Sequence, residues 1–199
     1  HLEVDDEDTN ENRWHVYLNS QSFGRLERTQ QFQPTYSSCG LCGTTSIQQF
    51  ETKHDIQLPK AEGWLTANDL TRFSARMKSN QHIFKVTGGV HAACLFDEHG
   101  EILALKEDIG RHNALDKLVG EIAKTKGKIQ CENTVLVISS RISLEMVQKT
   151  LVAGIPVLVA VGGASSLAID AANRFGLTLI GFVSTSGFNV YSGHQRLSV

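Results

Sequence analysis

The fold is decided by residues 134–183, which read TVLVISSRISLEMVQKTLVAGIPVLVAVGGASSLAIDAANRFGLTLIGFV. Three apolar runs predict strands, and two stretches with helical spacing of apolar residues lie between them. The first two strands lack polar alternation, as strands buried on both faces do. The strands are Val135–Ile138, Pro156–Val161 and Leu177–Val183, and the helices are Ser143–Ala153 and Ser165–Phe175. Because short links join these elements, the pattern predicts a parallel sheet with right-handed crossovers.

Upstream of this segment the sequence predicts further elements of the same α/β domain. They are a strand at Trp14–Leu18, a helix at Thr66–Asn80, an extended run at Phe84–Phe96 broken by Gly88-Gly89, a strand at Ile102–Leu105, and a helix that begins near Arg111. In the helix at Thr66–Asn80, Thr66 is the expected N-cap and Asp69 suits the first turn. Residues 97–100 predict the hairpin turn between the two later strands. Residues 1–12 are polar and are expected to be poorly ordered, and the whole chain, 1–199, is expected to form one domain.

Composition excludes several classes of function. The 199 residues include 41% hydrophobic and 20% charged residues with a net charge of −2, as in an ordinary globular protein without the basic excess of a general nucleic-acid binder. No apolar run approaches the roughly 20 residues of a membrane span. Four cysteines, only two of them closely spaced, do not make a secreted disulfide framework. We therefore expect a cytoplasmic protein that binds neither nucleic acid nor membrane.

Two thiols three positions apart are the strongest chemical signal in the chain. Cys39 and Cys42 are each followed by glycine, in a polar region that predicts a loop. A Cys-x-x-Cys pair commonly lowers the pKa of one member, and the thiolate is the reactive form. The residues alone leave open a reactive pair, a structural disulfide, half of a zinc site or two inert thiols. Cys94 and Cys131 are interpreted as ordinary small apolar residues.

Polar segments follow the carboxyl ends of all three strands in the deciding stretch. They are Ser139-Ser140-Arg141, Gly162-Gly163-Ala164-Ser165 and Ser184-Thr185-Ser186-Gly187-Phe188-Asn189. Ligands of open α/β sheets bind outside these strand ends, and hydroxyl groups, glycines and backbone donors suit phosphate or ribose. The ring of Phe188 offers a surface on which a base could stack. The sequence therefore predicts a phosphorylated ligand at this edge.

A second polar cluster lies at the start of the helix near Arg111. Arg111, His112 and Asn113 are placed where free backbone N–H groups favour an anion. A purely structural hydrogen-bonding role for the histidine remains an alternative.

Together these motifs resemble the FdhD/NarQ family, the formate dehydrogenase accessory sulfurtransferases. The resemblance rests on residues 38–43 (SCGLCG), 87–93 (TGGVHAA), 107–120 (EDIGRHNALDKLVG), 140–149 (SRISLEMVQK), 181–183 (GFV) and 188–191 (FNVY). Two departures stand out. By this resemblance the family segment that precedes the cysteine loop is expected to be largely missing, and Gly162-Gly163 stands where a Ser-Ala-like pair is expected.

The resemblance implies a sulfurtransferase that works as a sulfur carrier through a cysteine persulfide. Such a protein accepts sulfur from a cysteine desulfurase and passes it to a cofactor of molybdenum or tungsten with two pterin–guanine dinucleotides, molybdenum bis(molybdopterin guanine dinucleotide). The cofactor is then inserted into formate dehydrogenase. By resemblance, Cys39 would hold the persulfide and Cys42 would assist or protect it.

The resemblance also implies a fold and a set of binding residues. The fold would be a three-layer α/β/α sandwich similar to the cytidine deaminases, with a mixed sheet that is parallel in its C-terminal half, in a homodimer. Residues 184–189 would contact the guanine nucleotide. The other expected cofactor-binding residues are Gly88, Gly89, His91, Arg111, His112 and Arg141. No tightly bound metal is expected on the protein itself.

Three rival functions remain to be weighed. A zinc deaminase pairs His-x-Glu with Cys-x-x-Cys, but His91-Ala92-Ala93 lacks the carboxylate, and the cysteines precede the histidine. A non-enzymatic chaperone for the molybdenum cofactor could hold a disulfide or structural zinc at Cys39 and Cys42, with His91 or Cys94 completing the zinc ligands. A thiol–disulfide oxidoreductase is disfavoured because the pair does not open a helix directly after a strand.

Overall fold

The computed structural model describes two short strands near the start of the chain and most of the chain from residue 56. The described residues are 2–4, 14–16, 47, 56–125 and 129–198. The chain divides into two compact units, residues 1–34 and residues 35–199. In the first, β1 (Leu2–Val4) pairs antiparallel with β2 (Trp14–Val16). The strand predicted from Trp14 is present, and β1 lies within the segment that the sequence predicts to be irregular.

The second unit alternates helices with strands. Its elements are α1 (Ala67–Asn80), α2 (His82–Thr87), β3 (His91–Phe96), β4 (Ile102–Asp108), α3 (Arg111–Lys124), β5 (Val135–Ile138), α4 (Leu144–Val152), β6 (Val157–Ala160), α5 (Ser166–Phe175), β7 (Thr178–Ser184), β8 (Gly187–Ser192) and a 3₁₀ turn at His194–Arg196. Within the described ranges, no helix combines the length and the apolar character needed to cross a bilayer.

The six strands of this unit form one mixed sheet in the order β4-β3-β5-β6-β7-β8. Strands β5, β6 and β7 run parallel, whereas β3, β4 and β8 pair antiparallel with their neighbours. The predicted mixed sheet with parallel strands in its later part is therefore confirmed. The last strand, β8, is an antiparallel addition because a tight turn returns the chain beside β7.

Both faces of the sheet are buried, so the unit has three layers. In β5, Leu136 and Ile138 point to the face covered by α3, α4 and α5, and Val135 and Val137 point to the face covered by α1. A strand with apolar residues on both faces loses polar alternation, which explains the unbroken apolar run of the sequence.

Helix α1 begins at the capping pair that the sequence predicts. The Oγ1 atom of Thr66 accepts from the Asp69 N–H at 3.2 Å, and the Asp69 carboxylate accepts from the Thr66 N–H at 3.0 Å. The apolar residues Leu70, Phe73 and Met77 are buried against the sheet. This capping box stabilises the start of the helix, and one buried face stabilises its length.

Two local predictions are wrong. Of the extended run predicted from Phe84, the part after Gly88-Gly89 is confirmed as β3, but the part before it is helix α2. The Glu107 carboxylate accepts the N–H groups of Ile83 and Phe84, each at 2.9 Å. These N–H groups lie in the first turn, where a helix leaves its donors unsatisfied. The segment after β7, predicted as a loop through Asn189, instead enters strand β8 at Gly187.

Candidate functional site

The topology brings the polar segments predicted from the sequence to one edge of the sheet. Parallel strands β5, β6 and β7 end there, and the antiparallel pairings place the start of β3, the end of β4 and the start of β8 at the same edge. We call this edge the rim. It comprises residues 88–91, 108–112, 139–143, 161–165 and 184–189. All the predicted cofactor-binding residues lie on it.

At the start of β3, His91 is held by a serine from the end of β5. The Ser139 Oγ accepts from the Ala92 N–H at 2.9 Å and lies 3.4 Å from His91 Nδ1. Burial, and secondarily the charge of Arg111, lower the pKa of His91, so the ring is neutral near pH 7. A neutral ring that accepts from the serine hydroxyl at Nδ1 carries its proton on Nε2. His91 therefore offers a donor.

The turn from β4 into α3 is fixed by one carboxylate. Asp108 accepts from the Gly110 N–H at 2.8 Å and from the Asn113 amide at 3.2 Å, and it forms an ion pair with Lys117 at 2.5 Å. The lysine, and then the Gly110 N–H, hold the pKa of Asp108 below its usual value. These contacts set the direction in which α3 begins, and they place Arg111 in its first turn as predicted.

The ring of His112 lies between α3 and α4. Its Nδ1 is 3.4 Å from the Glu145 carboxylate, and the side chain is only 14% exposed. Lys149 contacts Glu145 at 3.2 Å and Asp116 at 2.8 Å, so the charged groups link the two helices. Burial lowers the pKa of His112, while Glu145 opposes this effect. This geometry suits positioning of the rim, and ligand binding by His112 remains a prediction.

Close packing explains why positions 162 and 163 are both glycine. A Cβ atom on Gly162 would lie 2.9 Å from the Cα of Arg141, and one on Gly163 would lie 2.5 Å from the ring of Phe182. The Phe182 N–H donates to the Gly162 oxygen at 3.1 Å, and the Ile142 N–H donates to the Gly163 oxygen at 2.9 Å. The ends of β5, β6 and β7 are thus joined through two glycines at which a Cβ atom would come within 3.0 Å of a neighbour.

The turn between β7 and β8 is organised by Ser184. Its Oγ lies 2.8 Å from the Ser186 Oγ, donates to the Gly187 oxygen at 3.2 Å, and accepts from the Ser186 N–H at 3.3 Å. Ser184, Thr185 and Ser186 are exposed. Phe188 is half-buried, with its ring packed against the core cluster under α1. The turn therefore presents hydroxyl groups to solvent and turns the Phe188 ring toward the protein.

Comparison with known proteins decides the family. Residues 1–198 match the sequence model described as the FdhD/NarQ family. The chain belongs to the FdhD/NarQ family.

Curated relatives and a solved structure agree with this membership. The sulfur carrier protein FdhD of Nocardia farcinica is 45% identical over 163 residues, which are 82% of this chain and 58% of that protein. The protein of the same name from Sulfolobus acidocaldarius is 35% identical over 189 residues, 95% of this chain and 70% of that protein. The crystal structure of a putative formate dehydrogenase accessory protein from Desulfotalea psychrophila has a TM-score of 0.64 and 27% identity, covering 75% of this chain and 61% of that one. The chain spans about 58% of the length of the first curated relatives.

The predicted catalytic cysteines of this FdhD/NarQ family member, Cys39 and Cys42, lie outside the described residues. The other two thiols are described. Cys94 is fully buried, and burial raises the pKa of its thiol to about 12, while burial also raises the pKa of Cys131. The burial of Cys94 within β3 agrees with its interpretation as a small apolar residue.

The opposite edge of the sheet is built around a buried guanidinium. Arg196 is 2% exposed and donates to the Gly176 carbonyl at 2.8 Å, to the Thr178 hydroxyl at 3.0 Å and to the Pro59 carbonyl. A cavity of about 500 Å³ opens beside Arg196, and no predicted site residue within the described ranges lines it. We assign this edge a structural role, since the guanidinium joins the segment near Pro59 to the turn between α5 and β7.

Two residues of functional interest escape sequence reasoning. Glu107 holds the start of α2, the helix that leads into Gly88 and Gly89, and its position inside the EDIGRHN stretch is the available signal. Phe182 is 54% exposed and has a φ of +55°. In the sequence Phe182 is marked only by the GFV motif, where it is naturally interpreted as an apolar residue of a buried strand.

Proposed function

We propose that this chain is a sulfur carrier that receives a persulfide sulfur on Cys39 and delivers it to a molybdenum or tungsten cofactor with two pterin–guanine dinucleotides. The proposal rests on family membership and on relatives named sulfur carrier protein FdhD. The observation that carries it is the rim, where six strand ends gather hydroxyl groups, arginines and backbone donors suited to a large phosphorylated substrate.

The sulfur-loading step is a thiol–persulfide exchange. The Cys39 thiolate attacks the outer sulfur of the desulfurase persulfide, forming a new S–S bond as the old one breaks and leaving the desulfurase thiolate. No net oxidation takes place. Cys42 would assist or protect this persulfide until the sulfur is delivered.

The rim would hold the substrate during this transfer. Exposed hydroxyl groups at residues 184–186 and the Arg141 side chain suit the guanine-nucleotide part of the cofactor, and the Nε2–H of His91 adds a donor. Neutral hydrogen-bond donors and cations both stabilise phosphate oxygens. Gly88, Gly89, Arg111 and His112 would complete or position this surface.

The wider proposal names partners by the same resemblance. A cysteine desulfurase supplies sulfur, formate dehydrogenase receives the sulfurated cofactor, and the working protein is a homodimer with a cytidine-deaminase-like arrangement. The accessory-protein title of the Desulfotalea psychrophila structure is consistent with the dehydrogenase as recipient.

The decisive experiment is intact-mass analysis after incubation with a cysteine desulfurase and cysteine. The wild-type chain is expected to gain one sulfur atom, about 32 Da, because a thiolate at position 39 accepts sulfane sulfur. Cys39→Ala should abolish the adduct, whereas Cys131→Ala, the same change at a half-buried thiol, should retain it.

An adduct that persists in Cys39→Ala would overturn the assignment of the carrier residue. Zinc bound at one equivalent and lost in Cys39→Ala would instead support the chaperone with a structural metal site.

A further inference from the structure

We propose that the cavity beside Arg196, at the edge of the sheet opposite the rim, binds a small organic monocarboxylate whose apolar body lies against the cavity wall. This site is separate from the rim and is additional to the proposed function. The Arg196 guanidinium attracts the carboxylate, and the apolar part of the wall selects an organic acid over an inorganic anion.

Arg196 is a buried cation without an acidic partner. The residue is 2% exposed, and its terminal nitrogens donate only to neutral oxygens, those of Pro59, Gly176 and Thr178. Burial lowers the pKa of Arg196, and no carboxylate of the described residues opposes this effect. An arginine is almost never fully buried unless it is paired. The guanidinium therefore lacks the anionic partner that such a group normally has.

The guanidinium also has a hydrogen-bond donor that the fold does not use. The Nε atom is closed to solvent and finds no acceptor in the part of the chain that the structure describes. Gly176 follows the last residue of α5, and the C-terminus of a helix carries a partial negative charge of about half an elementary charge. The bond from Arg196 to Gly176 thus offsets only part of the positive charge.

The cavity has room for an anionic ligand. Its volume of about 500 Å³ lies within the range of about 300–1,000 Å³ typical of small-molecule sites. Lys60 and Glu62 are the other charged residues among the described residues that line it. Two cations and one acid leave the wall with a net positive charge of one. This balance suits a monoanion better than a dianion or a cation.

The remaining wall suits a carbon chain. Ile56, Leu58 and Phe175 line the cavity, and each is half-buried, so a ligand can cover apolar surface that the fold leaves accessible. A chloride or phosphate ion gains nothing from such a surface, whereas an organic acid gains about fourfold in affinity for each methylene that it buries. Gln57 and Gln195 also line the cavity, and their amides are possible donors to a carboxylate oxygen.

An anion in this cavity would meet a guanidinium that is already held in place. The bonds to Pro59, Gly176 and Thr178 restrain the Arg196 side chain, so binding orders few additional rotamers. Because the guanidinium is buried, water screens its attraction for an anion less than it screens an exposed lysine. Arg196 is therefore the dominant source of charge selectivity, and Lys60 contributes less.

The test is an NMR titration of the isotope-labelled 199-residue chain with isocaproate, isocaproamide and acetate in separate experiments. The amide has the shape of isocaproate without its charge, and acetate has the charge without the apolar body. We expect isocaproate to bind about tenfold more tightly than either, because it alone uses both parts of the wall. The backbone amides of Gly176 and Gln195 should shift, whereas those of Ser184 and Ser186 on the rim should not.

A matched pair of charge removals separates the lysine from the arginine. Lys60 lines the cavity, and Lys78 is an exposed lysine in the last turn of α1. Lys60→Gln should weaken isocaproate by about two- to threefold and keep the preference over the amide, because an exposed charge contributes little. Lys78→Gln should change neither affinity. Arg196→Met should abolish the preference, measured at a temperature at which circular dichroism shows the variant to be folded.

Equal affinity for isocaproate and isocaproamide in the wild type overturns the proposal, and so does a set of shifts centred on the rim. A preference for the acid that disappears in Lys60→Gln assigns the charge selectivity to the lysine and overturns the role of Arg196. If Arg196→Met does not fold, the comparisons on the wild type and on Lys60→Gln still decide the proposal. Sulfur loading at Cys39 is measured independently, so this site and the proposed function fail separately.

Discussion

The two edges of the sheet are built in opposite ways. At the edge around Arg196, a charged side chain is buried and its donors meet carbonyl and hydroxyl oxygens. At the rim, an aromatic ring is exposed on a strained backbone, and the hydroxyl groups of the turn at Ser184 face solvent. The terminal guanidinium nitrogens of Arg196 find partners within the protein, although its Nε finds none among the described residues. The rim instead leaves polar and aromatic groups exposed. We interpret the first edge as structural and propose the second as the cofactor-binding edge.

The largest expected effect is on the structural edge. Arg196→Met keeps the apolar stem but removes the donor to the buried Thr178 hydroxyl and to the carbonyl oxygens of Pro59 and Gly176, whose hydrogen bonds are part-buried. Since each unsatisfied buried group costs about 1–3 kcal/mol, we expect the free energy of unfolding to fall by about 3 kcal/mol or more. Urea denaturation measures this loss. A fall in the free energy of unfolding of less than about 1 kcal/mol would contradict the structural role assigned to Arg196.

An intermediate effect is expected from a matched pair of changes in the rim. Gly162→Ala places its methyl group against the Arg141 backbone, which cannot easily move, so overpacking should cost about 2 kcal/mol. Gly163→Ala meets the exposed Phe182 ring, which can swing aside, so the cost should be about 1 kcal/mol or less. Thermal unfolding of both variants checks the order. Equal losses would show that the Phe182 ring is as fixed as the backbone.

The smallest effect concerns proton binding at His91. Its folded pKa lies below the ordinary value of 6.5, because burial first and Arg111 second disfavour the charged ring. On acidification the unfolded chain therefore binds more protons than the folded chain. The contribution of the neutral His91 ring to the free energy of unfolding is present above about pH 6.5 and is lost as the pH falls through the pKa of the folded state.

Ring chemical shifts followed by NMR should give a midpoint for His91 below 6.5, and His91→Gln should reduce the loss of stability between pH 7 and pH 5. A midpoint above 6.5 would contradict the lowered pKa and the neutral ring.

Elements with local signals could be predicted closely. The helix predicted at 143–153 is observed as α4 with Ser143 as its N-cap, and the helix from Thr66 begins at the predicted capping pair. Apolar periodicity and capping residues act within a few positions along the chain, so they can be read before any tertiary contact is known. The position of the strand ends at the rim could be predicted as well, because the carboxyl ends of parallel strands lie at the same edge of a sheet.

The remaining features depend on residues that are distant in sequence. Helix α2 exists because Glu107, more than twenty positions downstream, accepts its first N–H groups. The glycine at 163 is explained by the ring of Phe182, and no local pattern connects them. The backbone of Phe182 is left-handed, but the sequence does not indicate this, because the residue is neither glycine nor asparagine. The role of Cys39 and Cys42 came from a motif and remains a prediction, since both lie outside the described residues.

The attachment of α2 through the Glu107 carboxylate has a consequence for hydrogen exchange. This helix buries none of its own residues, and the N–H groups of Ile83 and Phe84 in its first turn donate to the side chain of Glu107. Its amides can therefore exchange through a local opening that leaves the sheet intact, at a free energy well below that of global unfolding. Such an opening would move the Gly88-Gly89 turn while the turn at Ser184 stays in place.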